Sequence, residues 1–282
     1  MPRLRPIRAG DVDSSGDVRL DDGARDRALH NRRMTNPTCI LLGSGGWMPT
    51  SERETAALYL RRGDHVLLVD AGTGLHRLVE HPELLQGAER VDIVLTHFHL
   101  DHVIGLSYLP GLALTEKPFV WGPGKALYDA PTRDVLARLV GAPLFAAEIE
   151  ELTTDVADIE GETLRLHSFE IHARRQDRHP HPTLALRVDD VLTYCTDTAY
   201  DPGNVELAQG SALLLHEAWY SDDRDDPGHT SASQAAAIAR AADVGRLVLV
   251  HVNPLGGPTE ELVRAARDVF PNADVGSDLV SL

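Results

Sequence analysis

Six residues constrain this chain more than any others. His97-Phe98-His99-Leu100-Asp101-His102 follows an apolar run, Val91 to Thr96, that reads as a buried strand. Three imidazoles and a carboxylate in six positions cannot enter an apolar core, because only one another or a metal would satisfy them there. At a strand end, alternation sends His97 and His99 to the same side. Asp101 and His102 then fall in the turn that starts the next helix. Two such ligand pairs suit two metal ions a few Å apart. The competing reading is a solvated His-rich turn.

The rest of the chain supplies a body for this site. Its 282 residues, 43% of them hydrophobic, suffice for one large α/β domain from position 37 onwards. Residues 1–36 are rich in Arg and Asp and poor in large apolar side chains. They read as a mobile tail, with Met34 as an alternative start. A net charge of −16 repels phosphate backbones, so extended nucleic-acid binding is disfavoured, although bound metals reverse the sign locally. Cys39 and Cys195 lie in apolar runs and read as buried free thiols in a reducing cytoplasm. No apolar stretch reaches transmembrane length and the N-terminus has no hydrophobic signal core, so no membrane association is expected.

Local patterns place the remaining elements. Thr38 to Leu42 is a strand, and Gly43, Gly45 and Gly46 form a tight loop beside it. With no Lys-Ser/Thr following, this loop lets backbone pass near the site rather than cradling phosphate. Ala57–Arg61 and His65–Val69 pair about a turn, after which Asp70 either orients a metal-bound histidine or caps a helix. Lys125–Val140 has helical spacing; Glu148–Thr154 and Thr163–Arg174 read as strands, with His167 and His172 on a strand surface. Val191–Thr196 delivers Asp197, and Ala212–Leu215 leads to His216-Glu217-Ala218-Trp219. Ser231 or Thr230 caps an Ala-rich helix over Ala232–Ala242. Arg246–Val252 is the last clear strand and carries His251, before a closing helix over Thr259–Phe270.

The His97–His102 stretch resembles the H-x-H-x-D-H signature of the metallo-β-lactamase superfamily. Leu42 to Thr50 with Arg53, then Thr196-Asp197-Thr198, His216-Glu217-Ala218, His229-Thr230-Ser231-Ala232 and Leu249-Val250-His251, resemble the ribonuclease Z-like branch in content and order. The resemblance runs from about Cys39 to the C-terminus. It implies an α/β fold, the four-layer αββα sandwich, with a metal site along one edge of its sheets. On that pattern His97, His99 and His179 hold a first metal, Asp101, His102 and His251 a second, and Asp197 bridges them. His179 is favoured because it stands eight positions before Arg187, although Ala185-Leu186 replaces the branch's Gly-Tyr; His181 is the alternative. All ligands are N or O, which suits Zn²⁺ and also admits Mn²⁺ or Fe²⁺.

The resemblance further implies a hydrolase with a metal-bridging hydroxide as nucleophile, Asp101 within the catalytic machinery, and His229 as general acid oriented by Glu217. That chemistry suits a phosphodiesterase acting on RNA ends or small cyclic phosphodiesters. No room exists between His179 and Asp197 for the inserted arm with which the branch's tRNA-processing members grip tRNA. Tyr200, three positions after Asp197, is similar to a substrate-contacting tyrosine of quorum-quenching lactonases. It keeps open a lactone or carboxylic-ester hydrolase. A non-catalytic metal-binding protein is the third reading, and a homodimer is compatible with all three.

Overall fold

A computed structural model describes residues 36–282, apart from positions 222 and 225. The tail expected over 1–36 therefore lies outside the described residues, save position 36. The described strands form two sheets. The first runs in order β1 (Thr38–Gly43), β2 (Ala57–Arg62), β3 (His65–Val69), β4 (Arg90–Val94), β5 (Phe119–Gly122) and β6 (Asp155–Asp158). The second runs β7 (Thr163–Arg165), β8 (Glu170–Gln176), β9 (Thr183–Val188), β10 (Leu192–Cys195), β11 (Leu213–Glu217), β12 (Arg246–Val250) and β13 (Ala273–Val275). Each sheet opens as an antiparallel meander and continues as parallel strands, from β3 in the first and from β10 in the second.

Alternation along the strands decides the layers. Leu58, Leu60, Leu67, Val69 and Val94 of the first sheet share one core with Leu184, Leu186, Leu215, Val248 and Val250 of the second. Their neighbours Tyr59, Val66, Leu68 and Ile93 face the other way, against Leu75, Leu78, Leu106 and Leu109 from helical segments. On the far side, Leu214, Leu247 and Leu249 pack against Ala235, Ile238 and Ala239 of the helix Ala232–Ala241. Two apolar faces per sheet explain why β3 is buried at every position and reads as a continuous apolar run. The order is helices, sheet, sheet, helices, which is the αββα sandwich.

Several local expectations are corrected. The helix expected over Lys125–Val140 is two short helices, Gly124–Tyr128 and Thr132–Leu136. Asp129 between them takes a left-handed φ of 56°, and Pro131 has no N–H to continue a helix. The strand expected over Glu148–Thr154 is instead a helical turn, Ile149–Leu152, because Glu148 and Glu151 form a reciprocal capping box. The run Thr163–Arg174 divides into β7 and β8, a hairpin whose turn gives the Ser168 N–H to His65. The segment after His102 continues as a 3₁₀ helix, Ile104–Gly111, and β13 is an edge strand the sequence did not signal. Among the described residues, no helix is long and apolar enough to cross a membrane.

Candidate metal centre

Five strand ends meet at one place. β3 is followed by Asp70, β4 by Thr96 and the histidine stretch, β10 by Asp197, and β12 by His251, while Glu217 closes β11. This is the crevice beyond the carboxyl ends of parallel strands, where α/β sheets bind ligands. Asp70, Asp197 and His251 all take left-handed backbone, with φ of 60°, 48° and 51°. Non-glycine residues seldom do this, and Asp and His are among those that tolerate it. Beside them the Gly43–Gly46 loop does what its sequence suggested. A Cβ on Gly46 would stand 2.6 Å from the His251 ring, so only glycine lets the loop lie against that imidazole. The next residue gives its N–H to the site, Trp47 N to Asp101 Oδ2 at 2.7 Å.

The seven residues selected from the sequence come together in two groups. Donor atoms of His97, His99, His179 and Asp197 lie within 4.8 Å of one another, as do those of Asp101, His102 and His251. Asp197 stands between the groups with one oxygen towards each. Its Oδ2 is 3.6 Å from His97 Nε2 and 3.8 Å from His179 Nε2. Its Oδ1 is 3.1 Å from His102 Nε2 and 3.3 Å from His251 Nε2. Asp101 Oδ2 lies 3.3 Å from His251 Nε2 and 3.5 Å from His102 Nε2. The loop histidines separate clearly. His179 Nε2 is 3.4 Å from His99 Nδ1, inside the cluster, whereas His181 Nδ1 is 3.0 Å from His99 Nε2, behind it.

The outer nitrogens are pinned, which aims the inner ones. His102 Nδ1–H donates to Asp70 Oδ2 at 2.8 Å, and Asp70 in turn accepts from the Thr96 N–H and hydroxyl at 2.8 and 2.9 Å. The 3₁₀ helix after Asp70 has Gly72 as its N-cap, so Asp70 orients a histidine and caps nothing. His179 Nδ1–H donates to the Gly228 carbonyl at 2.8 Å. The inner nitrogens His97 Nε2 and His102 Nε2 are buried without a hydrogen bond and converge on the Asp197 carboxylate. Buried unpaired polar atoms are expensive, and a set of imidazoles and carboxylates without thiolates suits divalent Zn²⁺, Mn²⁺ or Fe²⁺. The residues fit a metal.

Electrostatics divide the two groups. Against burial, Asp197, Asp101 and Asp70 raise His102 well above its ordinary pKa, and Asp197 and Asp101 raise His251, so a metal there would displace a proton. In the first group His97 and His99 are already neutral. Burial and the neighbouring His102 push His97 well below its ordinary pKa, and burial takes His99 down to about 4. Both imidazoles are thereby held neutral, the form that ligates. Burial opposes charge on Asp197, but His251, His102 and His97 outweigh it and hold the carboxyl well below the usual range.

Glu217 and His229 form a separate pair at the rim. His229 Nδ1–H donates to Glu217 Oε2 at 2.9 Å, and the other oxygen of the fully buried Glu217 accepts from the Thr198 N–H. Asp226 fixes the loop by accepting from the Gly228 and His229 N–H groups at 2.8 and 2.9 Å. Burial opposes charge on His229, but Glu217, then Asp197 and Asp226, lift its pKa to about 9. The ring is thus an imidazolium at neutral pH. Its centroid is 5.2 Å from that of His179 and 5.9 Å from that of His251, so it borders both groups. Glu217, His229 and His251 also bring donor atoms within 4.8 Å of one another, although Nδ1 of His229 is already committed to Glu217. Ser231, not Thr230, caps the following helix, with Gln234 completing a capping box. Tyr200 stays outside the cluster, half-exposed beside a cavity of about 350 Å³ that Arg178 and Asp226 also line. Sequence reasoning passed over Trp219, whose indole stacks on His229; only its place two positions after Glu217 hinted at it.

A family model described as a beta-lactamase superfamily domain matches residues 65–252. The protein named Ribonuclease Z of Clostridium acetobutylicum is 28% identical over 298 residues, covering 84% of this chain and 95% of that one. Among solved structures, the metallo-beta-lactamase fold protein YhfI from Bacillus subtilis aligns with a TM-score of 0.73 at 22% identity, covering 88% of this chain and 99% of that one. The short form of human tRNase Z aligns with a TM-score of 0.63 at 22% identity, covering 87% and 98%.

Proposed function

This chain belongs to the metallo-β-lactamase superfamily, and from that premise we propose that it is a metal-dependent phosphodiesterase of ribonuclease Z-like type. The observation that carries the reading is the Glu217–His229 pair, an imidazolium beside the ligand cluster that no ligand role requires. Divalent ions, when bound, supply Lewis-acid activation of water and of a phosphoryl oxygen. His97, His99 and His179 would hold one ion, Asp101, His102 and His251 a second, and Asp197 would offer an oxygen to each. Asp70 and the Gly228 carbonyl orient His102 and His179 for that work. With Nδ1 held by Glu217, His229 donates its Nε2 proton to the departing oxygen. An alkoxide such as a ribose hydroxyl needs that proton, which favours RNA ends or small cyclic phosphodiesters as substrates. The net charge of −16 argued against extended nucleic-acid contact, but relatives named ribonuclease give that expectation no support. A lactone or carboxylic-ester hydrolase is the second reading, favoured by Tyr200 at the adjoining cavity.

A panel assay of the metal-reconstituted protein tests both. Bis-p-nitrophenyl phosphate and 2′,3′-cyclic nucleotides should be turned over in preference to a lactone and a carboxylic ester. Faster turnover of the lactone, with none of the phosphodiesters, would overturn the proposal in favour of the second reading.

A further inference from the structure

We propose that Trp219 is a positioning residue that holds the His229 ring in the plane from which it protonates the leaving group; this rests on the reading of His229 as the acid. One hydrogen bond from Nδ1 to Glu217 fixes a point on the ring but not its plane, since the second torsion of a histidine side chain is broad. Trp219 closes that freedom. Its ring lies parallel to the imidazole, with centroids 4.4 Å apart and an interplanar angle of 13°. His179 meets the same ring at 70° from another side.

The backbone sets this stack. Trp219 N–H donates to the Thr230 carbonyl at 2.9 Å, Ala218 N–H to Val250 at 3.1 Å and Ala232 N–H to Tyr220 at 2.8 Å. Tyr220 and Ser231 form a parallel bridge. The two segments are therefore tied within two residues of each ring. Trp219 is only half-buried and borders a cavity of about 230 Å³ with Ser221, Asn253 and Gly256. It is a wall of the site, not a piece of the core.

The test uses the full zinc-loaded chain with Trp219→Leu and Trp219→Phe. Trp219→Leu should lower kcat on a 2′,3′-cyclic nucleotide by about 2- to 12-fold, the loss of one stacked ring pair. KM and zinc content should hold, and bis-p-nitrophenyl phosphate, whose leaving group needs no proton, should lose less than about twofold by the same rule. Trp219→Phe, which keeps an aromatic face, should restore most of the loss. Equal losses on both substrates, or a higher KM at unchanged kcat, would overturn the proposal. Proton NMR supplies a readout that needs no substrate: the carbon-bound ring protons of His229 should be shifted upfield by the indole and return on Trp219→Leu. Unshifted His229 protons in the unmutated protein would refute the stack even if Trp219→Leu fails to fold. A protein that hydrolyses only the lactone would instead defeat the phosphodiesterase reading, leaving the ring-proton shift to decide the place of Trp219.

Discussion

At the amino end of β3 and β4, His65 is buried against Asp92; at their carboxyl end, His102 is buried against Asp70 with His97 beside it. The residue types and the burial are the same, and the hydrogen bonds are not. His65 donates from Nε2 to Asp92 at 2.7 Å and accepts at Nδ1 from the Ser168 N–H at 3.1 Å, so both ring nitrogens are satisfied. Asp92 also accepts two bonds from Arg90, at 2.6 and 2.9 Å, and one from the Trp121 indole at 2.8 Å. Burial works against its charge, but His65, Arg90 and Trp121 outweigh it and lower its pKa. At the other end each ring is hydrogen-bonded on one side only, and His97 Nε2 and His102 Nε2 face the Asp197 carboxylate without a hydrogen bond. A buried histidine next to an aspartate thus says little by itself. Leftover nitrogens gathered around one carboxylate separate a site from a structural lock; His216 Nε2 is also buried without a hydrogen bond but belongs to no such cluster.

The largest test of that division is Asp197→Ala. If the carboxyl end is the metal centre, losing the shared carboxylate should cut activity by about 10³-fold or more and lower metal occupancy, read by elemental analysis. Next, His229→Ala should slow an alkyl phosphodiester by about 10²–10⁴-fold while leaving metal content intact, and should barely affect a nitrophenyl one. If His229 is the acid, it is loaded below its pKa of about 9 in the unmutated protein, so the alkyl-diester rate should hold through neutral pH and fall as pH rises through about 9. The amino end should behave in the opposite way. Asp92→Ala leaves His65 and Arg90 without their buried partner and should cost about 3 kcal/mol in denaturant unfolding, with turnover and metal content unchanged; lost metal would break the comparison. The finest distinction lies within the cluster. His181→Ala, behind His99, should weaken metal binding by about tenfold, and His179→Ala by clearly more in the same chelator competition. The reverse order would place the loop ligand wrongly.

The carboxyl end is legible in the sequence because four of its donors crowd into His97–His102 and His179 stands at a family spacing from Arg187. The αββα order followed from the same resemblance. The amino-end pair is invisible by comparison: His65 and Asp92 are 27 positions apart, and each sits in an ordinary apolar strand run. Trp219 was hidden for a related reason, since a stack depends on a backbone bridge between segments 218–220 and 230–232 that no periodicity reports. Pro131 did carry a signal against the single helix over 125–140, and the apolar spacing of Leu127, Val135, Leu136 and Leu139 obscured it. The capping box at Glu148 and Glu151 was likewise written in the sequence, although Glu148–Thr154 reads as a strand.

The left-handed corners at Asp197 and His251 have an evolutionary consequence. Each strains the backbone by about 1–3 kcal/mol, a cost that the attraction between Asp197 and the rings of His251 and His102 offsets. Glycine would remove the strain together with the attraction and abolish the chemistry, whereas alanine would remove the attraction and keep the strain. A library of this chain screened for heat resistance alone, without added metal, should therefore accept glycine at 197 and 251 more readily than alanine, each accepted variant being a protein that folds and no longer works.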